Sequence, residues 1–321
     1  MILLAKMVTI RPVCSKLKEV AKRELNEDES QIQSHLKVIR SWLAECDLQC
    51  DKIEDQFLIA FLRGCKFSLE KVKKKILLFY QIRFQLPQVI QNRDPLDPKL
   101  LKVIRMGVAV PLPRTTKATD PKLFIIRVGN FDLTECTFAD TMKVGTMIND
   151  ILMREDDQMV ICGMILIIDL KGVSAGHLMQ FEMGLLRKIA IMNQDASPLR
   201  MQGIHILNPP AGAQAVLNIF NGLLSEKNQH KRIFIHGREL ETLHQHFPPE
   251  LLPEEYGGTL ESIDNIVKQW QNRLIENRLY LLEMASMSSN KTISPPAMPL
   301  LNESFIGSFG TEGSFRKLDF D

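Results

Sequence analysis

The sequence predicts an α/β protein with a separate all-helical region ahead of its sheet. Three observations carry the prediction. Between Ser15 and Ile90 the apolar residues follow helical spacing only. From Lys122 onward, short β-branched runs alternate with helix-length segments, the signature of strands joined by crossover helices. Those β-branched runs are continuously apolar, as in strands covered on both faces.

Four helices are expected in the first region: "SKLKEVAKREL", "SQIQSHLKVIRSWLAE", "DQFLIAFLRGCKF" and "SLEKVKKKILLFYQIRF", with polar breaks at Asn26 to Glu29, Cys46 to Lys52 and Lys66 to Ser68. In the third, Phe57, Leu58, Phe61 and Leu62 share a face; in the fourth, Leu69, Val72, Ile76 and Phe79 do. Both stripes read as core. "NRDPLDPKL" is a proline-punctuated connector. Strands follow at "LFIIRV", "GMILIIDL", "GIHIL" and "RIFIHG", with helices near 138–159, 175–192 and 262–284. The expected organisation is an N-terminal extension (1–12), a helical domain (13–92), an α/β domain (93–284) and a tail (285–321). The tail's Ser, Pro and Gly content marks it for disorder.

The segment Ala213 to Leu224 has almost no polar side. Gln214, Asn218 and Asn221 form one narrow stripe, and Val216, Leu217, Ile219, Phe220, Leu223 and Leu224 occupy the rest of the circumference. Burying Val216, Ile219, Phe220 and Leu223 is worth about 6 to 12 kcal/mol, at about 1.5 to 3 each, so exposure to water is excluded. A core helix, the cover of an apolar cavity and a face that meets a membrane all satisfy that demand. Lys227, Lys231 and Arg232 follow this segment and Arg200 precedes it, and an apolar surface rimmed by cations suits an anionic bilayer.

Composition narrows the function. In 321 residues, 45% are hydrophobic and 24% charged, and net charge is +2. That balance gives no general affinity for nucleic acid. The N-terminus lacks the pattern of a signal peptide, and no uncharged apolar run is long enough for a membrane span, so a cytoplasmic chain is expected. The 6 cysteines form no CxxC pair and read as free thiols. Phosphate-loop, dinucleotide and zincin signatures are absent, no metal site or cofactor is expected, and His244 and His246 pair on a metal only in an extended segment. "GVSAG" (172–176) follows a strand and precedes a helix, the context of a nucleophile elbow, with His205 or His236 as base and Asp195 as orienting carboxylate. The competing reading makes Ser174 a helix cap.

"DQFLIAFLRGCKFSLEKV", "ILIIDLKGVSAGH", "SPLRMQGIHILNPP", "EKNQHKRIFIHG" and "LLPEEYGG", in that order over Ile10 to Tyr280, resemble the CRAL-TRIO (Sec14-like) family, most nearly its tocopherol-transfer branch. The resemblance implies a helical domain followed by an α/β domain with a mixed sheet, an apolar cavity and a gating helix, here Ala211 to Leu224. It implies a non-catalytic carrier, with "GVSAG" a helix-opening serine rather than a nucleophile. The expected pocket is Thr146, Met164, Leu166, Ile168, His177, Phe181, Ile189, Met192, Ile204 and Ile206. Val216, Ile219, Phe220 and Leu223 form the lid. Arg200, Lys227, Lys231 and Arg232 hold anionic headgroups, and Gln202 and Cys65 stand where phosphoinositide-gripping members carry cations. The implied partners are a hydrophobic small molecule and an anionic or phosphoinositide-containing membrane surface, visited transiently by a monomer.

Overall fold

The computed structural model describes residues 10–46, 53–210, 222, 233–238 and 240–288. The helical region contains α1 (Ser15–Leu25), α2 (Ile32–Glu45), α3 (Asp55–Gly64), α4 (Leu69–Phe84) and the short α5 (Pro87–Ile90). The proline-punctuated connector does more than connect. Asp97 accepts from the Leu100 N–H at 3.0 Å, Pro98 occupies the first turn where its missing N–H is harmless, and α6 (Pro98–Met106) begins there.

Among the described residues five strands form one mixed sheet: β1 (Ala109–Pro111), β2 (Lys122–Arg127), β3 (Met164–Asp169), β4 (Met201–Leu207) and β5 (Ile233–Ile235). Their order across the sheet is their order in the chain. β1 is antiparallel to β2, and the other pairs are parallel. The three-residue β1 has no counterpart in the sequence reading, because a run ending in proline carries no strand period.

Between β2 and β3 run α7 (Phe138–Glu155) and α8 (Asp157–Cys162). One helix is expected over 138–159, but the Asp156 side chain accepts from the Met159 N–H at 2.8 Å and restarts the helix. Between β3 and β4 the expected 175–192 helix is likewise split into α9 (Ala175–Met179) and α10 (Met183–Ile191), followed by a π-helical turn at Met192–Ala196. After β5 come α11 (Glu241–His244), α12 (Ile263–Glu276) and α13 (Arg278–Ser288).

One continuous apolar core runs from Leu36 in α2 through Ile125 and Ile167 in the sheet to Met287 in α13. Phe57, Leu58, Phe61 and Leu62 are all within it, as are Val72, Ile76 and Phe79. A polar seam reinforces the contact. Arg63, at the end of α3, donates to Glu27 Oε2 and Asp157 Oδ1, both at 2.8 Å, and Gln56 and Arg11 add bonds to the same Asp157 carboxylate. At Gly64 a Cβ would lie 2.3 Å from the Pro198 carbonyl oxygen, so only glycine lets α3 approach the lead into β4.

Candidate ligand cavity and its rim

A cavity of about 910 Å³ lies against one face of the sheet. Strand register explains the wall: Phe124, Leu166 and Ile204 are paired across β2, β3 and β4, and side chains two apart share a face, so Ile126 and Ile168 extend it. Residues from both crossovers, Thr141 and Gly145 on α7 and Leu186 and Ile189 on α10, also line the cavity. Both connections therefore lie on one side of the sheet, as same-handed crossovers between sequential parallel strands require. The opposite face carries Ile125, Ile167 and His205, all buried.

The cavity changes character along the strands. At the C-terminal ends of β2 and β3 its lining is Ile126, Val128, Ile168, Leu178 and Phe181. At the N-terminal ends of β3 and β4 it is polar, with Asn193, Gln194, Asp195, Ser197, Arg200 and Gln202. A register shift between Met164 and Ile165 accompanies this, and Met201 and Gln202 both reach the cavity, as successive residues do at a bulge. Facing the polar end are Lys66 and the α4 lysines Lys71, Lys74 and Lys75. Lys75 donates to the carbonyls of Asp195 and, at 3.0 Å, Ser197, which ties α4 to the π-helical turn. Lys66, Lys71 and Lys74 are exposed.

Of the expected pocket residues, Thr146, Met164, Leu166, Ile168, Phe181, Ile189 and Ile204 line the cavity. His177, Met192 and Ile206 are not in its lining. His177 is turned away: its Nε2 donates to the Phe131 carbonyl at 3.1 Å and its ring meets Phe131 edge-on. Met192 is packed in the main core. Ile206 shares the cavity-side face but is covered within a cluster with Ile168, Leu170 and Ile204. The expected lid, with Val216, Ile219, Phe220 and Leu223, and the cations Lys227, Lys231 and Arg232 lie outside the described residues.

Arg200 lines the cavity but is not an open cation. Its Nη2 donates to the Ile161 carbonyl, Glu24 of α1 stands 3.8 Å away, and burial lowers its pKa against the opposing pull of Glu24. The α4 lysines are the cations the sequence reading missed. "EKVKKK" reads as a solvated helix face, and the helical spacing of Lys71, Lys74 and Lys75 is its only hint of a shared direction.

Ser174 holds the N-cap position of α9. Its backbone N–H donates to His177 Nδ1 at 3.1 Å, and its hydroxyl lies 2.8 Å from the same nitrogen. With Nε2 donating to Phe131, Nδ1 carries the lone pair and accepts both, a local closure of the helix start rather than a base held ready by a carboxylate. Asp169, just upstream, is also engaged: it accepts from Asn208 Nδ2 and the Tyr256 hydroxyl, both at 2.8 Å. His205 and His236, the bases considered for Ser174, bond to each other.

His244 ends the helical turn α11 and its Nε2 donates to the Tyr256 carbonyl at 2.9 Å. Among the described residues no cluster of three or more metal-ligating side chains occurs, and no helix is long and apolar enough to cross a membrane. Cys14, Cys46, Cys136 and Cys162 are free thiols. Burial pushes the Cys136 and Cys162 thiols up to about 11, so both are protonated and unreactive near neutrality.

The family model of the CRAL/TRIO domain matches residues 106–258, and that of a Pinta-like UBA domain matches residues 28–100. Clavesin-2 of Rattus norvegicus is 27% identical over 289 residues, 87% of this chain and 87% of its own. Clavesin-1 of Pongo abelii is 30% identical over 267 residues, 81% of this chain and 73% of its own. The crystal structure of Sfh5 aligns with 83% of this chain and 100% of its own at 14% identity and a TM-score of 0.45, too loose a likeness to carry an assignment. On the domain match and the clavesin identity, the chain belongs to the CRAL-TRIO (Sec14-like) family of lipid-binding and lipid-transfer proteins.

Proposed function

We propose that this chain is a non-catalytic carrier that holds one hydrophobic small molecule, of the tocopherol, retinoid or carotenoid kind or a related lipid, and moves it between membranes. The cavity carries the reading: about 910 Å³ falls in the range of about 300–1,000 Å³ usual for small-molecule sites. Its sheet wall is Phe124, Leu166 and Ile204, apolar and without hydrogen-bonding groups to hydrate. In this reading segment 211–224 is the lid, and Val216, Ile219, Phe220 and Leu223 cover the ligand in solution and meet lipid when the lid opens. Lys71 and Lys74 at the cavity mouth, with Lys227, Lys231 and Arg232, draw that face to anionic headgroups. The carrier works as a monomer, in the cytoplasm and transiently on membranes, over the domains 13–92 and 93–284.

Organic extraction of the purified chain followed by mass spectrometry tests this directly. The expected result is one apolar molecule per chain, and repeated recovery of none would sink the carrier. The lysines facing the cavity favour a second reading, a phosphoinositide-sensing scaffold that binds membranes without transport. Vesicle-to-vesicle transfer separates the two, because a scaffold sediments with phosphoinositide vesicles yet moves no ligand from donor to acceptor.

A further inference from the structure

Glycine inside a long helix destabilises it relative to alanine, and such a glycine usually repays that loss by letting other backbone come close. Outside helix interiors, glycines of this fold also make room for backbone. A Cβ at Gly64 would sit 2.3 Å from the Pro198 carbonyl oxygen, and one at Gly258 would sit 1.8 Å from that of Leu252. Gly145 is different. It lies inside the 18-residue α7, and it is not among the glycines with positive φ. A Cβ built on it would meet no atom within 4 Å beyond its chain neighbours and the backbone of its own helix. Gly184 has equal room, but it is exposed to solvent, whereas Gly145 is half-buried and its open space is the cavity.

The α7 residues that line the cavity around it are the apolar Phe138, Met142 and Ile148 and the polar Thr141, Thr146 and Asn149. Thr141, one turn before, donates its hydroxyl to the Phe138 carbonyl, and adjacent Thr146 donates to that of Lys143, both at 2.8 Å. Each hydroxyl is thereby satisfied within the helix and asks nothing of a ligand. Among larger neighbours on the same wall, the missing side chain at Gly145 leaves a recess in α7, with the sheet row Phe124, Leu166 and Ile204 as the far wall. A single acyl chain fills a channel of its own width and gains nothing from a recess there. A substituted ring or a branched hydrocarbon does.

We infer that Gly145 is a specificity-determining residue: the widest apolar part of the ligand, a ring or a branched segment, sits against the bare α7 backbone at this position. The inference rests on the carrier reading and deepens it, because it names the shape of cargo that the cavity selects.

Full-length wild type, Gly145→Ala and Gly145→Phe, each stripped of lipid, are titrated with two fluorescent probes, ring-bearing retinol and linear cis-parinaric acid. Melting of the ligand-free proteins is followed alongside. Gly145→Ala should raise the melting temperature by roughly 1 to 3 °C, since helix propensity improves and nothing is displaced. It should leave retinol binding within about threefold of wild type, a difference of less than 1 kcal/mol. The Gly145→Phe ring has room to enter the cavity without unfolding the chain. It should weaken retinol roughly tenfold to a hundredfold, the penalty of overpacking, and leave cis-parinarate within about threefold.

A folded Gly145→Phe that binds retinol as wild type does, or that loses both probes in equal proportion, would overturn the inference. Failure of the carrier reading is distinguishable, because wild type would then bind neither probe. The alanine variant keeps the question answerable if the phenylalanine variant folds poorly: a drop in its melting temperature shows that Gly145 is needed for packing, and the inference is wrong.

Discussion

His205 on β4 and His236 just beyond β5 are hydrogen-bonded ring to ring, Nδ1 to Nε2, at 2.9 Å, and both are buried. The second nitrogen of His236 lies 2.9 Å from the Thr242 hydroxyl, and the His236 N–H donates to the Ile206 carbonyl at 2.8 Å. The pair therefore ties β4 to the residue that follows the C-terminal end of β5. One ring nitrogen must accept, so the doubly protonated pair cannot keep the bond.

Burial, and then the neighbouring His236 and His246, push His205 down from 6.5 to about 3; burial and His246 also lower His236. Native imidazoles that resist protons which the unfolded chain accepts lose stability as pH falls through the unfolded value. The loss begins below about pH 6.5 and continues toward about pH 3, and His205 alone contributes about 2 kcal/mol of it at pH 5. Denaturant midpoints at pH 7.5 and pH 5 check this. The double variant His205→Asn with His236→Gln keeps amide groups near the bonded nitrogens but cannot titrate, and it should lose less between those pH values than wild type does. Equal losses would show that the pair is not responsible.

Arg63 is bonded to Glu27 and Asp157 with all three side chains buried. Arg63→Leu keeps much of the volume but leaves the buried Glu27 carboxylate without its cation and Asp157 with Arg11 alone. Removing one partner of a buried ionic group costs about 3–5 kcal/mol, and equilibrium urea unfolding should show a loss of that order. A loss under about 1 kcal/mol, the usual worth of an exposed pair, would mean the seam is hydrated.

Ser174→Ala should be mild. The hydroxyl closes a capping box with His177, three residues on, so the cost belongs within the about 0.5 to 2 kcal/mol range for cap removal. Bound lipid should be unchanged, and a fluorophosphonate probe should leave no adduct on folded wild type. A Ser174 adduct in the intact-mass spectrum would restore the nucleophile.

Lys71 and Lys74 are exposed on α4 beside the cavity. A basic residue near an anionic leaflet contributes about 1 kcal/mol, so replacing both with Gln should weaken partitioning onto phosphatidylserine vesicles by roughly thirtyfold. Neutral vesicles should show little change, and added salt should shrink the difference as the screening length shortens. Unchanged sedimentation of the variant at low salt would remove these lysines from the membrane face.

The parts of this protein that were legible in its sequence are those where one period decides the outcome. Met164, Leu166 and Ile168 alternate along one strand, so choosing their face chose part of the cavity wall. Phe57, Phe61 and their neighbours follow one helical stripe into the core. Breaks within helices were not legible: Asp156 ends one helix and caps the next through a single side-chain bond, and nothing in the surrounding pattern marks it. Direction was harder still. His177 is buried as expected but faces Phe131, because a carbonyl 46 residues earlier in the chain claims its Nε2. Lys71, Lys74 and Lys75 look like any solvated helix face until the π-helical turn is placed beside them. Gly145 has no local sign at all, since its meaning lies in what is missing around it.

The cavity is shared between chain segments far apart in sequence, with Lys75 and Leu78 of α4 on one side and Phe124, Leu166 and Ile204 of the sheet on another. A molecule seated there touches both and acts as a removable staple between them. Binding only to the assembled form contributes cohesion by mass action, about 2.7 kcal/mol when ligand is present at a hundred times its dissociation constant. Unloading therefore does more than empty a container. On the carrier reading it withdraws that cohesion from the junction of the N-terminal helices with the sheet, which makes the cargo-free chain the looser one and susceptibility to a protease at that junction a readout of loading.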